Sequence, residues 1–106
     1  MSRADRRRHP RKTYFCEARI EGLGTGRAAC RVADISLGGV FVEAMTVLPP
    51  GTSTRVQFAL PGHELAADAE VRYSQQGIGM GLRFVALSEL DRAAIQAYLL
   101  ARPPAP

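Results

Sequence analysis

The sequence predicts a mainly all-β fold: a six-stranded antiparallel β-barrel with a C-terminal α-helix and a flexible basic N-terminal arm. Three observations predict it. Short runs with apolar residues at every second position recur from Thr13 to Phe84. Glycine- and proline-rich turns separate them. From Ser88 onward the apolar spacing changes to that of a helix. At 106 residues, 46% hydrophobic and 23% charged, the chain suits one globular domain. The expected division is an arm over 1–12, a barrel with its helix over 13–101, and a disordered tail over 102–106.

The elements follow in order. Residues 1–12 are too charged to enter a core, and Pro10 disfavours helix at His9. From Thr13, the side chains of Tyr14, Cys16, Ala18 and Ile20 share one face of a strand. Gly22-Leu23-Gly24-Thr25-Gly26 is a turn, and a second strand runs from Arg27 to Ala33. A hairpin centred on Leu23 would set Cys16 opposite Cys30, as two small core thiols in a reducing cell rather than a disulfide. Asp34 to Gly39 interrupts the pattern, and Val40 to Ala44 resumes it. After the Leu48 to Thr52 turn, Arg55 to Leu60 is a strand ended by Pro61-Gly62, with His63 in the turn. Leu65, Ala67, Ala69, Val71 and Tyr73 form the apolar face of a long strand. Gln75-Gln76-Gly77 turns the chain into a last strand, Gly79 to Phe84. Ser88 caps a helix of about fourteen residues, with Glu89 and Asp91 in its first turn. Leu90, Ala94, Ala97, Tyr98 and Ala101 recur along it at helical spacing.

Charge is distributed unevenly. The first twelve residues hold six basic side chains against Asp5, a net +5, whereas the remaining eight basic and nine acidic residues give −1. An anion site at or near the N-terminus fits this better than a basic face spread over the fold. Thirteen of the fourteen cations are arginine, the residue whose planar fork grips phosphate and the O6/N7 edge of guanine and stacks on bases. A solvated basic tail in an arginine-favouring genome would carry the same charge. Seven aromatics and no Trp leave little for a stacking platform. No apolar run is long enough to span a bilayer, and no apolar stretch follows the first arginines, so a cytoplasmic protein with neither secretory signal nor membrane insertion is expected.

Catalysis finds no support. His9 and His63 have no partner at metal-ligand spacing. The sequence holds no nucleophile elbow, no P-loop and no dinucleotide fingerprint, so neither an enzyme nor a cofactor is expected. Two segments stand out. In Arg7-Arg8-His9-Pro10-Arg11, two arginines flank a proline-stiffened link that spans at most roughly 13 Å, so both could hold one bulky anion. In Asp34-x-Ser36-x-x-Gly39, the side chains could serve a turn between strands. Alternatively, a carboxylate there accepts from guanine N1–H and N2–H, a hydroxyl bonds base or phosphate, and glycine admits a ligand close to the backbone.

Together, and in this order, the two segments resemble the PilZ family of bacterial cyclic di-GMP receptors. Arg7 to Arg11 is similar to that family's RxxxR arm and Asp34 to Gly39 to its (D/N)xSxxG motif. Gly79-Met80-Gly81-Leu82-Arg83-Phe84 is similar to the glycine-containing strand before its last helix. The resemblance covers essentially residues 5–100 and implies a stand-alone receptor with the same barrel-plus-helix fold. It implies that Arg7 and Arg11 grip phosphates and the Hoogsteen edges of guanines, and that Asp34 reads a Watson–Crick edge. Ser36 would bond phosphate or base, and Gly39 would keep the loop clear. Arg6 resembles the residue found in members that bind two intercalated nucleotides, so the ligand, cyclic di-GMP, is expected as one or two molecules per chain. Arg8 completes the cluster, either on the ligand, pointing to solvent or paired with Asp5. The implied mechanism is an adaptor whose arm orders over cyclic di-GMP and signals through an unidentified effector protein. The rivals are a small-barrel nucleic-acid binder using its Arg-rich arm, which the near-neutral body disfavours, and a nucleotide-independent protein-interaction module.

Overall fold

The computed structural model describes residues 12–22 and 30–101, with backbone alone for 12–15. The arginines Arg6, Arg7, Arg8 and Arg11, the turn after Gly22, the start of the expected second strand and the tail over 102–106 lie outside the described residues.

Six strands and one helix follow in chain order: β1 Lys12–Ile20, β2 Arg31–Ile35, β3 Gly39–Glu43, β4 Ser53–Leu60, β5 His63–Gln75, β6 Gly79–Ala86 and α1 Glu89–Leu100. All pairings are antiparallel and close a barrel in the order β1-β2-β3-β6-β5-β4. Closure leaves no unpaired sheet edge, and alternate residues of each strand fill the interior. Strand β4 shows this most simply: Thr54, Val56, Phe58 and Leu60 are buried and the residues between them exposed. Val32, Ile35, Val42, Leu65, Val71 and Met80 are among the fully enclosed side chains. Burying each such side chain contributes roughly 1.5–3 kcal/mol.

Several sequence expectations are corrected. Cys16 pairs with Val32, not Cys30, and the backbone N–H of Ala18 donates to the Cys30 carbonyl at 2.9 Å. The register at Cys16 and Glu17 is thus two places from the expected one, which keeps those side chains on their faces, and a bulge between Thr13 and Cys16 leaves Thr13 and Lys12 one place from it. Asp34 does not interrupt the sheet, because β2 continues through Ile35 and only Ser36 to Gly38 leave it. His63 is the first residue of β5 rather than part of the turn. Helix α1 is 12 residues long; Ala94 and Tyr98 of the expected face pack against the core, but the buried face is rotated away from Leu90 and Ala97. Leu90 is 75% exposed, while Asp91 and Ile95 are buried. The cause is a polar contact that apolar spacing does not register. His63 Nε2 and Asp91 Oδ1 lie 2.6 Å apart and tie the first turn of α1 to β5, while Ile95 joins the barrel core. The Asp91 N–H also donates to Ser88 Oγ at 3.0 Å, the expected helix cap.

Between β3 and β6 there is no room for a side chain at Gly39. A Cβ there would collide with the Leu82 carbonyl oxygen and come within 3.1 Å of the Arg83 Cα. The requirement is for space, since the backbone φ at Gly39 is not positive. Replacing Gly39 by alanine should therefore lower stability by about 1–3 kcal/mol through overpacking. A chemical-denaturation midpoint equal to that of the parent chain would contradict the close approach.

Burial also pushes the Cys30 thiol from 9.0 up to about 11. Burial, and secondarily the charge of Cys16, raises the Tyr98 hydroxyl above its usual 10.0. Both groups keep their protons to higher pH when folded than when unfolded. The Cys30 contribution to stability is whole below about pH 9 and declines as pH rises towards about 11, and that of Tyr98 is whole below its ordinary 10.0 and declines above it. Denaturation midpoints between those limits should fall, and fall less steeply in a Cys30→Ala variant.

Candidate functional site

The loop from Ser36 to Gly38 is held by its own polar groups. Ser36 is buried, and its Oγ accepts from the Gly38 N–H at 3.1 Å and the Gly39 N–H at 3.3 Å. The same hydroxyl donates to the Gly39 carbonyl at 3.4 Å, which also takes the Ser36 N–H at 2.9 Å. The Gly38 carbonyl in turn accepts from the Phe84 N–H of β6 at 2.9 Å. Ser36 therefore shapes the turn, and Gly39 lets that turn seat against β6. The serine and glycine expected to meet a ligand here set the backbone on which it would rest.

Two β-bulges determine what faces outward beside this loop. In β2, Val32 pairs with Val42 but Asp34 pairs with Phe41, so an extra residue lies on the β2 side. Strict alternation would turn Asp34 inward with Val32. The bulge instead leaves Asp34 half-buried on the outer face, beside the inward Ile35. In β5, Val71 pairs with Leu82 and Tyr73 with Gly81, leaving Arg72 without a position opposite it. Val71 is buried, but Arg72 and Tyr73 are both exposed. This corrects the expectation that Tyr73 shares the apolar face of Val71.

Asp34, Phe41, Gly81 and Tyr73 consequently form one cross-strand row over β2, β3, β6 and β5. The Phe41 and Tyr73 rings stack across the gap at a centroid distance of 6.3 Å and an interplanar angle of 24°. They cover glycines: a Cβ on Gly81 would run into the Tyr73 ring, and one on Gly79 would come within 2.8 Å of Phe41 Cζ. The few aromatics of the chain thus do provide a small ring surface, next to Asp34.

Beside the row lies a groove of about 280 Å³, lined by the Ser36–Gly39 turn, by Arg72 and Tyr73 of β5, and by Leu82 and Arg83 of β6. Arg83 is engaged with Glu70 at 3.3 Å. Arg72, Tyr73, Phe41 and Arg83 were not evident as site residues in the sequence. Glycines at 79 and 81 were the one available signal, because bare strand positions invite neighbouring rings. Of the sequence-predicted residues, the structure brings together Asp34, Ser36 and Gly39. Arg6, Arg7, Arg8 and Arg11 fall outside the described residues, but the chain enters the barrel close to that loop. Lys12, the next residue after Arg11, pairs with Ile35, and Thr13 pairs with Asp34.

Among the described residues, no cluster of His, Cys, Asp or Glu could hold a metal ion, and no helix is long and apolar enough to cross a membrane. No curated protein matches the chain. The solved structure of the Bacillus subtilis inhibitor of motility, MotI/DgrA, resembles it with a TM-score of 0.74 at 21% identity, a likeness of fold. That match covers 88% of this chain and 48% of the other, so this chain spans about half the length of that protein. The profile of the PilZ domain matches residues 5–101, from within the arginine-rich segment to the end of α1. The entry of the chain beside the Asp34–Gly39 loop, the closed barrel and this match agree: the chain belongs to the PilZ domain family.

Proposed function

We propose that the protein is a cytoplasmic cyclic di-GMP receptor and adaptor whose amino-terminal arginines close over a nucleotide resting on the Asp34–Gly39 loop. The observation that carries this reading is the pairing of Lys12 with Ile35 and of Thr13 with Asp34. It anchors an arm with a net charge of +5 directly beside the outward carboxylate. Arg11 is one residue from that anchor, and Arg7 lies within roughly 13 Å of chain beyond it. Both guanidinium groups can therefore reach a ligand on the loop without any rearrangement of the barrel.

The chemistry of the parts fits a guanine nucleotide. Asp34 offers an acceptor pair to guanine N1–H and N2–H, which adenine does not present. The arginine forks suit phosphate and the guanine O6/N7 edge. The Phe41 and Tyr73 rings offer an apolar surface to a base. The groove, at about 280 Å³, lies just below the usual range for small-molecule sites, so a cyclic dinucleotide would need a second wall. The arm supplies that wall when it orders. Each residue ordered costs about 1–2 kcal/mol, while each charge-assisted contact returns roughly 1.5–3 kcal/mol. Ordering is therefore coupled to the ligand, and the surface offered to an effector protein changes with it. One or two nucleotides can occupy such a site, with Arg6 and Arg8 providing charge for the second.

Calorimetric titration should give saturable binding of cyclic di-GMP, with GMP and a short RNA binding far more weakly, and the stoichiometry should read one or two per chain. Arg7→Ala and Arg11→Ala should each abolish that signal while leaving the thermal midpoint of the empty protein nearly unchanged. Equal binding of the RNA, with steep salt dependence, would favour a nucleic-acid binder. No signal with any nucleotide would favour a module that acts through protein contact alone.

A further inference from the structure

We infer that Arg72 is a second anion contact of the ligand site, holding a phosphodiester of the cyclic dinucleotide from the β5 side while the amino-terminal arginines hold it from the β1 side. The inference rests on the cyclic di-GMP reading and adds a residue and a size requirement to it.

The β5 bulge is the structural basis. An uninterrupted strand would send Arg72 outward and Tyr73 inward. The extra residue between the Val71–Leu82 and Tyr73–Gly81 pairs exposes both, so a cation and a ring stand next to each other on one face. Bulges commonly re-aim a side chain beside a functional site, at the expense of a local ladder position. Arg72 is outward with or without the bulge and lines the groove whose other side is the Ser36–Gly39 turn; the bulge sets the Tyr73 ring beside it.

Charge and position together single out Arg72: Arg19 and Arg92 also have no ion pair among the described residues, but neither lines the groove. Its neighbour Arg83 is engaged with Glu70, and on other parts of the barrel Arg55 pairs with Asp68 and Arg31 with Glu43. Arg72 has no ion-pair or hydrogen-bond partner among the described residues. An unpaired guanidinium beside a ring and a turn with two glycines can turn its fork to a phosphate at little cost in lost contacts.

The arrangement also carries a size requirement. Lys12, which follows Arg11 in the chain, pairs with Ile35 next to the loop, whereas Arg72 lies across β3 and β6 from that loop. A ligand gripped from both ends must carry two anionic groups on one rigid frame. A cyclic dinucleotide does so, and a mononucleotide does not.

The test is titration of the full chain with cyclic di-GMP for the parent, Arg72→Ala and Arg72→Lys, with melting of each empty protein. Arg72→Ala should weaken binding about tenfold or more, as expected for one charge-assisted contact. Arg72→Lys should recover part of the loss, because the charge remains and the fork does not. Melting midpoints should agree, and GMP affinity should be much less affected than cyclic di-GMP affinity. Parent-like binding by Arg72→Ala would overturn the inference and leave the receptor reading standing. A lowered melting midpoint without recovery in Arg72→Lys would also overturn it, by making the residue structural. Absence of binding by the parent would remove the receptor reading, and this inference with it.

Discussion

The outer face of strand β6 has no side chains where β3 and β5 need room, and the candidate site depends on that constraint. At Gly39 the β3 backbone meets the Leu82 carbonyl with no space for a Cβ; at Gly79 the Val42 carbonyl and the Phe41 ring, and at Gly81 the Tyr73 ring, fill the volume that side chains would take. The vacancy lets Phe41 and Tyr73 lie flat across β6 and stack. It also allows the Ser36–Gly39 turn to dock on β6 through the Gly38 carbonyl and the Phe84 N–H. Packed interiors resist added volume by roughly 1–3 kcal/mol per intrusion, so the three glycines define the surface as firmly as the core side chains define the barrel. The same three positions thus hold the fold together and shape the site.

The two bulges act on this platform. A strand without irregularity commits each residue to a face by parity, and parity would bury both Asp34 and Tyr73. One extra residue in β2 and one in β5 reverse that assignment at the two flanks of the β3–β6 pair. The carboxylate and the ring come out on the same side, separated by Phe41 and Gly81. Ser36 then needs no ligand to be satisfied, since its hydroxyl is engaged within the turn. Its hydroxyl fixes the backbone of the turn that follows Asp34 and Ile35.

Much of this was legible in the sequence. Period-two alternation located the described strands to within a few residues, because each strand has one buried face and the barrel interior accepts nothing else. Turn chemistry at Pro49-Pro50-Gly51 and Pro61-Gly62 separated β3, β4 and β5. What stayed hidden depends on contacts distant along the chain. The bulge that turns Tyr73 outward arises from register with β6, and no local pattern encodes it. The inward face of α1 is set in part by Asp91 meeting His63, a polar pair 28 residues apart, so counting apolar residues selected Leu90 instead. For the site, the motif residues Asp34, Ser36 and Gly39 were legible as a group, but the roles of serine and glycine as scaffold required the hydrogen bonds of the turn. Arg72 and Tyr73 were invisible as a pair because adjacent strand residues are expected to point apart.

The distribution of cations bears on which kind of anion the protein meets. A nucleic-acid backbone is gripped by many cations tracking a charged strand, and each neutralised phosphate adds to affinity. On the barrel, Arg31, Arg55 and Arg83 each face a carboxylate at 2.8–3.3 Å, so their charge is largely answered within the protein. Such exposed pairs contribute little to stability, roughly 0–1 kcal/mol each, but they flatten the field of the barrel. Arg19, Arg72 and Arg92 carry no such pair among the described residues, and they stand apart, on β1, β5 and α1, with only Arg72 lining the groove. A long polyanion would find no continuous track across such a surface. A compact ligand with two phosphates and two purines would find charge at its edges, ring surface beneath a base and a carboxylate at the edge that distinguishes guanine, which is the arrangement that the bare face of β6 makes possible.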